Sequence, residues 1–197
     1  DLYATFVDSR GRTVPVYLPT RVPIARTVAL GASRDSASPL PAVAWDYSPY
    51  DTREANPELR CWRDGDSVEL EVRVPDASRT GAPEWSAPDA ARMKDPAADA
   101  VRAVIRTRDA SGREFSEEVL YEPFTKGCAL PAGARASVTA DGDGPWTARI
   151  ALPLNGRTPA GLQVGVADND RTYHTQWRWL APGGSGGWWP IAPGTAP

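Results

Sequence analysis

The chain has 197 residues, with 20 Pro, 17 Gly, 24% charged and 41% hydrophobic residues, and a formal net charge of −3. This is the composition of a folded globular chain, below the roughly 25–30% Pro plus Gly of low-complexity sequence. The negative balance disfavours a nucleic-acid partner. The lack of any run of about 18 apolar residues excludes a membrane-spanning helix.

From the N-terminus, Leu2 to Val7 and Arg12 to Leu18 flank Asp8-Ser9-Arg10-Gly11, a hairpin signal. No basic stretch followed by an apolar one opens the chain, so a secretory leader is expected to have been removed or never to have existed. Ser33 to Pro57 reads as a long loop carrying Trp45. Leu59 to Arg63 is strand-like, and Asp64-Gly65-Asp66 turns it into Ser67 to Val74. There Val68, Leu70, Val72 and Val74 alternate with Glu69, Glu71 and Arg73, the pattern of a half-buried strand. Pro75 to Ala98 is a second long loop, bearing Trp85. The best helix candidate, the Ala-rich run Pro88 to Val104, is interrupted by Pro96. Val101 to Thr107 and Glu114 to Tyr121 flank Asp109-Ala110-Ser111-Gly112, and Ala136 to Ala140 and Trp146 to Leu152 flank Asp141-Gly142-Asp143-Gly144-Pro145. Leu162, Val164 and Val166 alternate in the next strand, then Thr175, Trp177 and Trp179. Ala181 to the C-terminus is a third loop, with Trp188 and Trp189. Short strands with turn chemistry between them predict an all-β, antiparallel two-sheet sandwich of jelly-roll or immunoglobulin-like type. One domain over 1–197 is expected, with 193–197 as a linker or tail.

The chain has eight Trp, two Cys and one His, His174. A zinc site of His and Cys needs more such ligands than the spacing supplies. Any Ser–His–Asp or Cys–His chemistry would have to run through His174. Gly183-Gly184-Ser185-Gly186-Gly187 has the letters of a nucleophile elbow, but Trp188-Trp189-Pro190 follows where the elbow needs a helix, so it reads as a loop. Asp141 to Gly144 resembles the start of a calcium loop but has Leu152 where the last acidic ligand belongs, so it reads as a turn. Asp168-Asn169-Asp170 reads as a turn that could hold calcium or hydrogen-bond a ligand. No cofactor is expected, calcium at this cluster being the alternative left open. Cys61 and Cys128 would form a bridge in an oxidising compartment and stay buried thiols in a reducing one; the sequence leaves both open.

Four segments in order resemble the family 9 carbohydrate-binding modules and the wider DOMON-like sandwiches. They are Leu59 to Asp76; Trp85 with Asp99-Ala100-Val101-Arg102-Ala103-Val104-Ile105, similar to "W-x-x-D-S-V-E-I-F-I"; Trp146 to Pro153; and Leu162 to Pro190. The resemblance covers about residues 59 to 192 and implies a sandwich that holds a sugar ring between two Trp walls. The walls would be Trp85 and one of Trp188 and Trp189, with Arg102, Asn169, Asp170, His174 and Trp177 around them. Aromatic planes suit sugar C–H faces, and polar groups at the rim suit hydroxyls. Arg102 stands where the family has a Glu, so an anionic sugar also fits.

The expected function is therefore a non-catalytic carbohydrate-binding module with no catalytic residue. It is expected to be secreted, to bind a saccharide or other small molecule, and to have been fused to or cut from a larger enzyme. The alternative is a small-molecule enzyme of cyclase or isomerase type, with a Trp-lined pocket and His174, Asp170, Tyr173 and Arg102 as its acid–base groups. Haem binding, known in some DOMON-like sandwiches, would have only His174 and Met93 as axial ligands.

Overall fold

The computed structural model describes residues 2–7, 13–18, 28–41, 43–46, 57–76, 79–81, 98–125, 127–142, 144–170, 173–179 and 189–191. Side chains are described within 28–40, 57–76, 79–81, 98–125, 128–142, 144–169 and at 191. The strands are β1 (Leu2–Val7), β2 (Thr13–Leu18), β3 (Leu40–Pro41), β4 (Val43–Asp46), β5 (Glu58–Asp64), β6 (Ser67–Val74), β7 (Ala100–Arg108), β8 (Glu114–Glu122), β9 (Gly127–Ala129), β10 (Arg135–Ala140), β11 (Trp146–Pro153), β12 (Thr158–Asp170), β13 (Tyr173–Trp179) and β14 (Trp189–Pro190). The described residues contain no helix, hence none long and apolar enough to cross a membrane.

A five-stranded sheet runs β10-β11-β6-β5-β3, and a seven-stranded sheet runs β4-β13-β12-β7-β8-β9 with β14 paired to β12. Every strand pair in both sheets is antiparallel. The hairpin β1–β2 forms a two-stranded sheet of its own. The all-β antiparallel sandwich expected from the alternation is thus the observed architecture.

The core lies between the two sheets because each strand turns one face inward. On β6, Val68, Leu70 and Val72 are fully buried and Val74 nearly so. Register sets them opposite Leu152, Ile150, Ala148 and Trp146 of β11, all buried as well. The other sheet contributes Val101, Ala103, Ile105, Val119, Leu162, Val164 and Val166 to the same cluster. Each fully buried Leu or Ile contributes about 1.5–3 kcal/mol relative to an exposed one.

The hairpins foreseen from turn chemistry pair as expected: β1–β2, β5–β6, β7–β8 and β10–β11. At the β7–β8 turn, Asp109 Oδ1 accepts bonds from Ser111 N at 2.9 Å, Ser111 Oγ at 2.6 Å and Arg113 N at 3.0 Å. One carboxylate thus takes up the donors that the turn leaves over.

Several expectations are corrected. The loop read over Ser33 to Pro57 contains β3 and β4, which pair with different sheets, β3 with β5 and β4 with β13. The chain therefore changes sheets within a few residues, and strands this short, one ending in Pro41, give no periodic signal. The strand read over Val101 to Thr107 is β7, as expected; residues 88–97 of the Ala-rich run lie outside the described residues. Asp168, Asn169 and Asp170 are no turn but the end of the 13-residue β12. In the third loop, Trp189 and Pro190 pair with Leu162 and Gly161, while the elbow-like run 183–187 lies outside the described residues. Cys61 and Cys128 are not bridged: Cys61 is buried in the five-stranded sheet, Cys128 exposed on β9 of the other.

The outer face of the five-stranded sheet is crossed by residues 31–38. Gly31 pairs with Trp62 and approaches Ala37 so closely that a Cβ would lie 2.8 Å from its backbone. From this strap Arg34 reaches Glu71 with two hydrogen bonds of 2.7 and 2.8 Å, and Arg149 adds a third of 3.0 Å. Glu71 is thereby paired on the outer face although nearly buried.

Candidate ligand-binding site

β7 begins at Ala100, directly after Asp99, and β12 ends at Asp170 beside it in the seven-stranded sheet. Asp99 is completely buried and holds three pieces of chain together. Its Oδ2 accepts from Thr80 N at 2.6 Å and its Oδ1 from Asn169 N at 2.9 Å. In return, Asp99 N donates to Thr80 O at 3.0 Å. The Asn169 amide donates to Ala98 O at 2.6 Å. Thr80 and Asp99 are thus joined to each other and to the end of β12.

The departing stem is fixed on its other side. Arg79 donates to Gly144 O and Asp141 O, and its guanidinium lies 5.1 Å from the centre of the Phe124 ring. Gly81 passes so close to Phe124 that a Cβ would lie 2.6 Å from its carbonyl oxygen, so no side chain fits there.

Inward of Asp99, three buried carboxylates converge. Ligand oxygens of Asp76, Asp99 and Asp168 lie within 4.8 Å of one another. Trp146 Nε1 donates to Asp76 Oδ2 at 2.9 Å, and the Trp146 ring meets Phe124 edge-on at 5.7 Å. Hard oxygen donors of this kind suit calcium. The cluster shares Asp168 with the calcium alternative read from the sequence, but its other two members come from distant strand ends.

Alternation sets Ala100, Arg102, Gly165, Ala167 and Asn169 on the outer face of this sheet, since Val101, Ala103, Val164 and Val166 belong to the core. Ala100, Leu120 and Ala167 form a second, small apolar cluster on that outer face, with Ala129 against it. Arg102 stands among them and is ion-paired to Glu118 of β8, both side chains being partly exposed. It is therefore a neutralised cation and not a free one.

The remaining sequence-chosen residues fall as follows. Backbone register sets His174 opposite Asn169 and Tyr173 opposite Asp170, so these four share the β12–β13 hairpin end. Trp177 takes the position opposite Val166 and Trp189 that opposite Leu162, and both of these partners are core residues. Trp85 and Trp188 lie outside the described residues. Asp99, Thr80 and Asp76 were not singled out from the sequence. The only signal was an Asp immediately before a buried strand, at a position whose alternation points inward.

No family profile matches the sequence, and no curated protein matches it. Solved structures do. A family 9 carbohydrate-binding module from Caldicellulosiruptor kristjanssonii, solved with cellotriose, superposes with a TM-score of 0.53 at 13% identity, covering 79% of this chain and 84% of that one. A candidate carbohydrate-binding protein from Bacteroides uniformis gives 0.43 at 11% identity over 83% and 81%. With its two antiparallel sheets, the chain has the fold seen in the family 9 carbohydrate-binding modules.

Proposed function

We propose that this protein binds a saccharide without transforming it. The observation that supports the reading is the sandwich itself, which superposes on a family 9 module solved with cellotriose, with Thr80 and Asp99 joined beside the end of β12 on either side of the segment that carries Trp85. In this reading Trp85 forms one wall of a sugar slot. Trp189 takes a register position opposite a core residue, so the second wall falls to Trp188. Asn169, Asp170 and His174, close together at the β12–β13 hairpin, supply the rim that meets hydroxyls. Because Glu118 neutralises Arg102, the slot prefers a neutral sugar over an anionic one. The protein then works as an extracellular module joined to a polysaccharide-processing enzyme.

The test is a calorimetric titration with cellotriose, with an oligogalacturonide as the anionic comparison. Cellotriose is expected to bind, and the anionic sugar to bind at least tenfold more weakly. Trp85→Ala should remove about 1–3 kcal/mol of binding, by analogy with base stacking on aromatic rings, while the melting temperature stays within a few degrees. Trp188→Ala should behave alike, whereas Trp189→Ala should lower stability. Silence toward a panel of neutral and acidic glycans would overturn the reading and favour the small-molecule enzyme.

A further inference from the structure

We infer that β10 is the contact through which two copies of this chain associate: its free edge pairs antiparallel with the same edge of a second copy and joins the two five-stranded sheets into one. The inference is independent of the saccharide reading.

β10 ends the five-stranded sheet, and its six residues Arg135–Ala140 are paired on one side only, to β11. Asp141 N donates to Pro145 O at 3.4 Å, directly across the same hairpin, so the bonds to β11 fall at the odd-numbered positions. The N–H and C=O groups of Ala136, Val138 and Ala140 therefore point to the open edge, and among the described residues nothing meets them. The other sheet ends are guarded. β3 has two residues and ends in Pro41, β9 has three, and β4 has four with an irregular register. β10 has no Pro and no bulge, and its inward residues Ala136 and Val138 carry no charge. An edge of this kind is a template for a further strand.

The edge is complementary to itself, which selects a second copy as its occupant. A two-fold axis at Val138 sets Val138 opposite Val138, Ala136 opposite Ala140 and Ser137 opposite Thr139 of the second copy. In this register the even-numbered positions are the hydrogen-bonded pairs, so the open backbone groups of each copy satisfy those of the other. Small apolar residues meet on the inner face and hydroxyls on the outer, where cross-strand Ser–Thr pairs are favourable. Arg135 then stands opposite Asp141 of the second copy, and the symmetry repeats that charge pair at both ends of the ladder. Both residues are exposed, and among the described residues neither forms a salt bridge within its own chain. Arg135 acts on Glu69 only through its charge. An axis at Ser137 would set Arg135 opposite Thr139 and forfeit the charge pairs. Because the contact is isologous it closes at two copies. One strand per copy buries little surface, so the association is weak, in the micromolar range.

The experiment is sedimentation equilibrium of the full chain over a micromolar concentration series. The mass is expected to move from one copy toward two and to level there, with higher salt weakening the association. Ala140→Pro removes an N–H that faces only the second copy, and this variant is expected to stay a single copy at every concentration while its melting temperature stays within a few degrees. Arg135→Asp and Asp141→Arg are each expected to weaken association at least tenfold, and the two together to restore it. An unaltered chain that remains a single copy throughout, or a mass that climbs past two copies, would overturn the inference. So would association indifferent to Ala140→Pro and to both charge reversals, since another face would then carry it. Failure of the double variant to restore association would overturn the register at Val138. Should Ala140→Pro fail to fold, the charge exchange decides by itself.

Discussion

Cys61 and Cys128 show how position sets the chemistry of one residue type. Burial between the sheets pushes the Cys61 thiol up to about 12, far above the ordinary range. Cys128 is exposed. A thiol reagent at pH 8 is expected to titrate one cysteine in the native protein and two in denaturant. Since no bridge joins them, a reductant should leave the melting temperature unchanged. Leu70, fully buried on β6, should cost about 2–5 kcal/mol when cut to Ala, measured by urea unfolding. A near-silent Leu70→Ala would contradict its place in the core. Trp146 has a second task beyond filling space. Trp146→Phe keeps most of the packing but takes from Asp76 a buried donor, a loss of about 1–3 kcal/mol.

Among the elements, β6 and β11 carry the charge pattern with a pH consequence. Burial by itself raises the Glu71 carboxyl, but hydrogen bonds from Arg34 and Arg149, with their positive charges, outweigh it and hold Glu71 below the usual carboxylate range. A carboxyl depressed in the folded state contributes stability that is present above its ordinary value of 4.5 and lost as pH falls through the folded value. Glu69, on the same face, has the opposite sign: burial raises it, with Arg135 and Arg149 offsetting only part. The part of the acid loss due to Glu71 should therefore disappear in Glu71→Gln, seen as a flatter stability profile below pH 4.5. An unaltered profile would show that the Arg34 strap does not hold the charge. In the stem before the Trp85 segment, Gly81→Ala meets the Phe124 carbonyl at 2.6 Å and must displace the stem. Cellotriose binding should weaken in this variant with little change in the urea midpoint.

For the whole molecule, the acid cluster of the interior is a test of the sequence expectation: Asp76, Asp99 and Asp168 bring three buried carboxylates within 4.8 Å of one another. The sequence reading expected no metal; this cluster provides its sharpest test. A melting temperature that falls in EDTA and recovers with calcium would mark the trio as a cation site; one indifferent to both is the outcome that the metal-free expectation requires.

The long strands, the hairpins that connect them and the inward residues of β6 and β11 were legible in the sequence, whereas the short strands β3, β4, β9 and β14 were not. The reason is local: period-two alternation and Asp-Gly turn chemistry act between residues a few positions apart, as in Ser67–Val74 with its turn at Gly65. The likeness to a carbohydrate-binding sandwich was legible for the same reason, since its motifs are runs of such strands. Tertiary structure alone decided how strand ends meet. The sheet switch between β3 and β4 needs two partners distant in the chain. Hydrogen bonds to the Asp99 carboxylate join residues 80, 99 and 169, and the acid trio joins 76, 99 and 168. Arg102 reads as a free cation in one dimension and becomes a paired one only when β8 delivers Glu118 beside it. Such contacts depend on sheet order and register, which arise from the packing of all the strands at once and leave no periodic trace in any one of them.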